Sequence, residues 1–259
     1  VREDGAAQVK RGVAKDRIVS AHDPEMRHGR KSKRTRFNGH KGELVTDSDS
    51  GVIVDASVKP GNANDAEGSL DAVERAEQTV QEAWEDAPVD EASEAQDEGE
   101  AGIEQTLGDC AYGTADNRRA FVDAERKLLA KQPALHNDGR FTKEDFPRDE
   151  ATGARTCPAG HTVLPRWRTV PWRGAKTRVR FYRWPADLCS QCPLKDQCLK
   201  ASKEDAPEPR HGRTVNEHPE EELLAHARAQ QRTDEFRAFY RARQTVEHRL
   251  ARMMQLGGR

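Results

Sequence analysis

Two acidic side chains far apart in the chain, Asp109 and Glu247, occupy positions at which a carboxylate could take part in catalysis. Asp109 directly follows the run IEQTLG, which predicts a short buried strand, and ligands of open α/β sheets bind at the carboxyl ends of strands. Glu247 shares a predicted helix face with Tyr240, Leu250 and Met254, so its charge needs a partner or a metal ion. Two such carboxylates can share a divalent cation, and Mg²⁺ or Mn²⁺ ions held by about three carboxylates catalyse phosphoryl transfer.

Each of these two acids also has a local interpretation that needs no metal. Asp109 can be a turn aspartate that accepts a hydrogen bond from its own backbone. Glu247 can be a half-exposed glutamate paired with Arg243, four residues earlier on the same helix. The small residues around Asp109 favour a ligand, because they would leave room for a bulky group: Gly108, Ala111 and Gly113.

Four of the five cysteines are spaced like ligands of a structural Zn²⁺ ion: Cys157, Cys189, Cys192 and Cys198. The Cys-x2-Cys pair in LCSQC suits one edge of a tetrahedral site, because the turn between the two residues directs both thiolates inward. His161 is an alternate ligand. Thiols without metal and disulfides remain alternatives, although nothing in the sequence resembles a secretory signal, which favours free thiols or metal ligands. Cys110 is more simply a small buried residue.

Basic residues form two clusters that predict contact with DNA. The net charge of −2 hides their strength, because ten acids and no Lys or Arg lie between Glu82 and Glu104. Lys and Arg neutralise phosphates, and the tryptophans beside the second cluster can stack on unpaired bases. A solvated basic face is the alternative interpretation. The residues predicted to bind DNA are Arg30, Lys31, Lys33, Arg34 and Arg36 in the first cluster, and Arg173, Lys176 and Arg178 in the second.

The elements that must position these side chains alternate in an α/β pattern. In chain order the patterns predict two strands within 43–59, a helix over about 66–85 capped by Asp65, a strand at 103–109, a helix capped by Thr114 and ending near 126, and a strand at 127–132. Near the C-terminus they predict one helix within 218–231 and a longer one that begins at Thr233.

Composition divides the chain into four segments. They are a basic N-terminal arm at 1–42, the first part of an α/β core at 43–132 with an acidic loop at 86–102, a β-rich Cys-containing insertion at 133–215, and C-terminal helices at 216–259 that complete the core. No run of about 18 apolar residues is present, so the sequence predicts no membrane span, and nothing resembles a signal peptide.

Four blocks of the sequence, in this order, resemble the DDE transposases of bacterial insertion sequences. HDPEMRHGR resembles the family's stretch ahead of the second strand, and FNGHKGELVTDSDSGVIVDASVKPGNANDAEG resembles its strand hairpin and Pro-Gly-Asn turn. LGDCAYG resembles the block with the second acidic residue, and RQTVEHRLARMMQLGGR the block with the final glutamate. Each block is short, but all four in order, with a Cys-rich insertion before the glutamate, form a fairly specific match.

The resemblance implies an RNase H-like mixed sheet with flanking helices, interrupted by the small β-rich insertion. It implies that Asp109 and Glu247 are the second and third catalytic carboxylates, binding Mg²⁺ or Mn²⁺ in cleavage and strand transfer of DNA. It also implies a cytoplasmic, nucleoid-associated bacterial protein that is a homodimer when complete. Any zinc would be structural, and the DNA partners would be the transposon ends and the target.

One departure from the family pattern concerns the first catalytic aspartate and its strand. Only two strands are predicted before the first helix, so we expect the N-terminal first strand to be missing and the chain to be a catalytically incomplete C-terminal portion. Asp23 is the best substitute in the sequence, although it matches a family position that is not taken as catalytic. The alternatives are a non-catalytic zinc-containing DNA-binding protein and an inactive transposase remnant.

Overall fold

The chain folds into two compact units, each with its own strands and helices. The structure is a computed structural model, and it describes residue 14 and residues 16–32, 34–86, 102–200 and 212–256. The first unit comprises Val1–Lys131 together with Gln231–Arg259, and the second comprises Gln132–Gln230. The acidic loop that we predicted at 86–102 lies almost entirely outside the described residues, as does most of the N-terminal arm before residue 16.

Three antiparallel strands open the first unit, in the order β1 (Arg27–Arg30), β2 (Arg36–Thr46) and β3 (Ile53–Pro60). The prediction of only two strands before the first helix was therefore wrong. β1 has the sequence RHGR, which contains no apolar alternation, so its pairing with β2 leaves no trace in the hydrophobic pattern. Gly29 is closely packed there, since a Cβ would lie 2.3 Å from the backbone oxygen of Gly61.

Helix α1 (Ser69–Glu85) follows β3 and buries one apolar stripe that includes Ala72, Val73 and Ala76. The helix was predicted, but not its first residue. Gly68 is the N-cap, with a positive φ of 72°, whereas Asp65 forms an ion pair with Lys41 at 2.6 Å. Asp65, the predicted cap, therefore makes a tertiary contact with β2 and does not cap the helix.

A parallel β-α-β unit completes this part of the first unit. It consists of β4 (Thr106–Gly108), α2 (Ala115–Asp123) and β5 (Leu128–Ala130). The predicted cap is confirmed, because the Thr114 hydroxyl accepts a hydrogen bond from the backbone N–H of Asn117. The element order from β1 to β5 alternates as expected for an α/β core. Within the described residues, however, β1–β3 and β4–β5 form separate sheets, so the mixed α/β architecture is shown and a single RNase H-like sheet is not.

The second unit contains several short elements around a small aromatic core. They are β6 (Arg155–Thr156), β7 (Thr162–Val163), β8 (Arg166–Trp172), β9 (Ala175–Arg183), α3 (Ala186–Ser190), α4 (Lys195–Cys198), β10 (Thr214–Asn216) and α5 (Glu221–Gln230). β6 pairs with β7, and the other strands form an antiparallel sheet in the order β10-β9-β8. The core consists of Phe146, Tyr182, Trp184 and Val215. Two apolar rings and a tyrosine thus stabilise a unit with few aliphatic residues.

The C-terminal helices return to the first unit as two segments. α6 (Asp234–Tyr240) and α7 (Gln244–Gln255) are separated by a 3-10 turn at Arg241–Arg243. The predicted cap at Thr233 is confirmed, because its side chain accepts from the backbone N–H of Phe236. The prediction of a single long helix in this region was therefore wrong. No Gly or Pro marks the break in the sequence, so the periodic pattern runs across it without interruption.

Candidate active site and nucleic-acid interface

Asp109 lies immediately after β4, at the carboxyl end of a parallel strand, and its side chain is exposed. Its Oδ1 accepts a hydrogen bond from the backbone N–H of Ala111 at 2.7 Å. This is the local turn interaction that we considered as the alternative to a ligand role. It occupies one carboxylate oxygen, and a carboxylate has two.

Glu247 lies in the first turn of α7, and its side chain is 54% exposed. Its Oε1 accepts from the guanidinium of Arg243 at 2.5 Å, which is the local ion pair considered above. The apolar helix face predicted for Glu247 is not a buried face, since Leu250 on it is 40% exposed. Helical spacing shows which side chains share a face, but not whether another element covers that face.

Tyr240, at the end of α6, lies within electrostatic reach of both carboxylates. Burial raises the pKa of its phenol, Arg243 lowers it, and the charges of Cys110, Asp109 and Glu247 raise it further. Asp109 and Glu247 are therefore both within electrostatic reach of one ring, although 138 positions separate them in the sequence.

Two cations and a second ring fix the position of Tyr240. The ring stacks on Phe236 with centroids 5.2 Å apart, and the ammonium of Lys131 lies 4.5 Å from its centroid. The guanidinium of Arg243, which also holds Glu247, lies 5.5 Å from the same centroid. The surroundings of the two acids thus combine negative and positive side chains around an aromatic group, an arrangement suited to a phosphate or a metal-bound phosphate.

The turn after Asp109 is filled by the chain itself. A Cβ on Gly108 would lie 2.8 Å from the Cβ of Tyr112, and one on Gly113 would lie 2.4 Å from the backbone oxygen of Lys131. Our expectation that these glycines leave room for a bulky ligand was therefore wrong. They allow Tyr112 and the end of β5 to pack closely against the strand that precedes Asp109.

Tyr112 connects this turn to a buried carboxylate on β2. Its hydroxyl donates to Oε1 of Glu43 at 3.1 Å, and Glu43 also accepts from Lys59 at 2.8 Å and Ser57 at 3.3 Å. Burial, then Glu43 and then Asp109 raise the pKa of Tyr112 well above its usual range. The phenol therefore stays protonated and donates to Glu43, which holds the Asp109 turn against β2.

Asp23, the substitute considered for the first catalytic aspartate, forms its own local structure. Its Oδ2 lies 2.8 Å from Nε2 of His40, and its Oδ1 accepts from the backbone N–H groups of Glu25 and Met26. The hydrogen bond with His40 lowers the pKa of Asp23 most, so the carboxylate is ionised at neutral pH. The structure places it beside β2, paired with His40.

The described residues fit a metal centre only in part. Asp109 and Glu247 supply exposed oxygen ligands of the kind that Mg²⁺ prefers, near the same ring. Yet among residues 14, 16–32, 34–86, 102–200 and 212–256, no three His, Cys, Asp or Glu side chains are grouped so that they could hold a metal ion. A complete three-carboxylate set is thus not assembled in the described part of the chain.

The first basic cluster lies at the tip of the β1–β2 hairpin. Arg30 and Arg36 are directly opposite each other on the two strands, and the backbone N–H of Lys31 donates to Thr35 to close the turn. All described members are exposed, namely Arg30, Lys31, Arg34 and Arg36, while Lys33 lies outside the described residues. The tip is therefore a concentrated positive surface.

The second basic cluster lies on the β8–β9 hairpin of the second unit. Arg173 and Gly174 form its two-residue turn, with φ values of 47° and 77°, as a type I′ turn requires. Arg173, Lys176 and Arg178 are exposed. The guanidinium of Arg178 lies 4.9 Å from the ring centroid of Trp167, which is itself 52% exposed. Cations and an accessible aromatic face thus occur together, as in surfaces that bind nucleic acid.

The four cysteines predicted to bind zinc line one pocket of the second unit: Cys157, Cys189, Cys192 and Cys198. His161 also lines it, whereas Cys110 is exposed beside Asp109 rather than buried as we expected. All five cysteines are free thiols, so none of the disulfide alternatives is present.

Residues 156–259, about two fifths of the chain, match the family model described as a transposase DDE domain. The match includes Glu247, the four pocket cysteines and the β8–β9 hairpin, and it begins after Asp109. It supports the resemblance to DDE transposases for these residues. No curated protein and no solved structure matches the chain at a significant level. In the part of the chain that the structure describes, no helix is both long and apolar enough to cross a membrane.

Sequence reasoning missed the side chains that surround the two acids, above all Tyr240 and Lys131, and the Glu43–Tyr112 pair that holds the Asp109 turn. Tyr240 was noted only as an apolar neighbour of Glu247. Its role depends on α6 and β5 meeting in the fold, and no local pattern encodes that meeting. The one available hint was a glutamate at an inward position of β2, where a strand pattern predicts an apolar side chain.

Proposed function

We propose that this chain, whose residues 156–259 carry a transposase DDE domain, is part of a DNA transposase that cleaves DNA strands and transfers them to a target. The observation that carries the proposal is that Asp109 and Glu247 both lie within electrostatic reach of Tyr240, whose ring also contacts Lys131 and Arg243, the arginine paired with Glu247. One acid ends a parallel strand and the other lies on a late helix inside the matched region, as the family resemblance requires.

Asp109 and Glu247 would hold the divalent cation, Mg²⁺ or Mn²⁺. When bound, such an ion supplies charge neutralisation at the phosphate and a more acidic bound water or 3′-hydroxyl. Asp109 can bind through Oδ2 while Oδ1 keeps its bond to Ala111. Glu247 can bind through Oε2 while Oε1 stays paired with Arg243. The pairing with Arg243 then orients the ligand rather than competing with it.

The remaining parts of the proposal follow the family resemblance. The third carboxylate is Asp23 or an acid outside the described residues. The core is RNase H-like, the β-rich segment 133–215 is its insertion, and the source is a bacterial insertion sequence. The complete protein is a cytoplasmic, nucleoid-associated homodimer that binds transposon ends and target DNA. If neither Asp23 nor another acid of this chain completes the set, the chain is catalytically incomplete, as the motif pattern predicted.

Direct measurement of Mn²⁺ binding tests the carboxylates without requiring catalysis. Free Mn²⁺ is followed by electron paramagnetic resonance while the purified chain is titrated. We expect Asp109→Asn and Glu247→Gln each to weaken binding by about tenfold, as loss of one charged ligand does. Circular dichroism is recorded for every variant to verify folding.

Two other acids provide matched controls. Asp149 also accepts a hydrogen bond from the backbone of its own turn, from Thr152 at 2.7 Å, and Asp123 also pairs with an arginine on its own helix, Arg119 at 3.7 Å. Asp149→Asn and Asp123→Asn should leave Mn²⁺ affinity unchanged. Equal binding by wild type, Asp109→Asn and Glu247→Gln would remove both acids from the chemistry and favour a non-catalytic DNA-binding protein.

A further inference from the structure

Four cysteines from separate elements of the second unit surround one small pocket. Cys157 follows β6, Cys189 lies in α3, Cys192 follows α3, and Cys198 is the last residue of α4. They line a small cavity of about 20 Å³, which is enough for a single ion. Between the first and last of them lie 40 residues of sequence, so only the fold brings them together.

The wall of this pocket is apolar, which limits access of water to the sulfurs. Trp184 is fully buried there, and Phe141 and Leu188 pack beside it. Cys157, Cys189 and Cys198 themselves pack against this core. A metal ion bound to the sulfurs would therefore be shielded on the protein side, as is usual for structural rather than catalytic sites.

Backbone donors already point at two of the sulfurs. The N–H of His161 donates to Sγ of Cys157 at 3.4 Å, and the N–H of Arg213 donates to Sγ of Cys189 at 3.5 Å. Gly212 makes the second contact possible, since a Cβ there would lie 2.4 Å from Sγ of Cys189. Such N–H donors stabilise thiolates, the form in which cysteine binds a metal.

A further observation concerns the turn between Cys189 and Cys192. The Cys189–Cys192 turn is closed by a backbone hydrogen bond of 3.4 Å from the N–H of Cys192 to the oxygen of Cys189. This compact turn brings both thiols to the same side.

We infer that Cys157, Cys189, Cys192 and Cys198 form a four-thiolate structural zinc site that holds β6, α3 and α4 on the aromatic core of the second unit. Among the described residues, no three of these side chains are already close enough together to hold a metal ion. Binding of Zn²⁺ would therefore draw the four sulfurs inward into the cavity. His161 is not a ligand. It is exposed, and its backbone holds the β6–β7 turn through Cys157 and through the indole N–H of Trp184, at 2.9 Å.

The site goes beyond the proposed function and is tested independently of it. The full chain is expressed with zinc in the medium, and its metal content is measured by inductively coupled plasma mass spectrometry. We expect about one zinc per chain. Replacement by Co²⁺ should give the intense visible bands and thiolate-to-metal charge transfer of a tetrahedral four-sulfur site. Thiol titration should show four cysteines protected until a mercurial reagent releases the metal.

Single substitutions distinguish the ligands from their neighbours. Cys189→Ser and Cys198→Ser should each lower the bound zinc to well below one per chain, while Cys110→Ser and His161→Ala should leave it unchanged. Loss of a ligand can prevent folding. The cobalt spectrum and the thiol titration of the wild type therefore test the site without any substitution. A metal-free wild type with five reactive thiols, or a His161→Ala variant that loses zinc as fully as Cys189→Ser, would overturn the assignment.

Discussion

Glu43 shows at the scale of one residue how the fold holds the turn that carries Asp109. Its carboxylate is 7% exposed and bonds to Tyr112, Lys59 and Ser57. Tyr112 follows Asp109 by three residues, and a buried acid on β2 therefore fixes the position of an exposed acid after β4. Such a pair is specific but costly, because both Glu43 and the 13%-exposed Lys59 lose most of their hydration.

Removing only one member of this pair should be destabilising. We expect Glu43→Met to lower the free energy of unfolding by about 3 kcal/mol, because it leaves the ammonium of Lys59 buried without its partner. The double variant Glu43→Met/Lys59→Met should lose less than Glu43→Met alone, since no charge is then left unpaired. Urea denaturation followed by circular dichroism measures these two variants and the second single variant, Lys59→Met. Simple additivity of the two single effects would show that the pair is not coupled.

Candidate residues and their local contacts could be predicted from the sequence, but the burial of each side chain could not. The motifs identified Asp109, Glu247 and the four pocket cysteines as candidates. Local spacing also predicted the contacts that Asp109 and Glu247 make, a hydrogen bond within the turn of Asp109 and the ion pair of Glu247 with Arg243. Burial was the weak point. Glu247 was predicted on the apolar side of its helix or as a half-exposed partner of Arg243, and the second alternative is observed, whereas no pattern predicted that Glu43 is buried. Burial depends on which element covers a face, and this is a tertiary property.

At the scale of elements, α7 is positioned by the turn between β2 and β3. The hydroxyl of Thr245 donates to the backbone oxygen of Ser48, and Arg249 donates to that of Ser50, both at 3.3 Å. Gly51 allows the close approach, since its φ is 69° and a Cβ would lie 2.6 Å from the Arg249 guanidinium. The orientation of Glu247 therefore depends on a hairpin almost 200 residues earlier in the chain.

A substitution at Gly51 should loosen this helix. We expect Gly51→Ala to cost about 1–2 kcal/mol from its left-handed backbone and to displace Arg249 as well. Amide hydrogen exchange within 244–255 should accelerate. Gly174→Ala is the matched control, because its φ is 77° and no described atom lies within 4 Å of an added Cβ. It should show the backbone cost without faster exchange in α7, and equal exchange in both variants would contradict the anchoring role.

Elements with their own chemical markers were predicted well, and elements defined only by pairing were not. Thr114 and Thr233 cap their helices as the sequence indicated, since a hydroxyl before a helix satisfies a local N–H. β1 was missed, because its four residues carry no apolar pattern and its stability comes from β2. The 3-10 break before α7 has no breaker residue, so it too was invisible.

At the scale of the whole molecule, the two basic hairpins give a chain of net charge −2 two positive surfaces. One is the β1–β2 tip in the first unit, and the other is the β8–β9 hairpin in the second. The second was predicted as a cluster, but its arrangement on a tight type I′ hairpin beside Trp167 came from the fold. If both hairpins contact phosphates, each should contribute separately to the salt dependence of DNA binding.

Triple substitutions that remove equal charge test this expectation. We expect Lys31→Ala/Arg34→Ala/Arg36→Ala and Arg173→Ala/Lys176→Ala/Arg178→Ala each to reduce the slope of log K against log salt by up to about 2.7, at about 0.9 per lost phosphate contact. Fluorescence anisotropy with a labelled duplex measures the slope. The control removes three exposed cations that belong to neither hairpin, in Lys127→Ala/Arg232→Ala/Arg237→Ala. The control variant has the same net charge as the two hairpin variants. If its slope falls as far as theirs, overall charge, and not the hairpins, attracts the DNA.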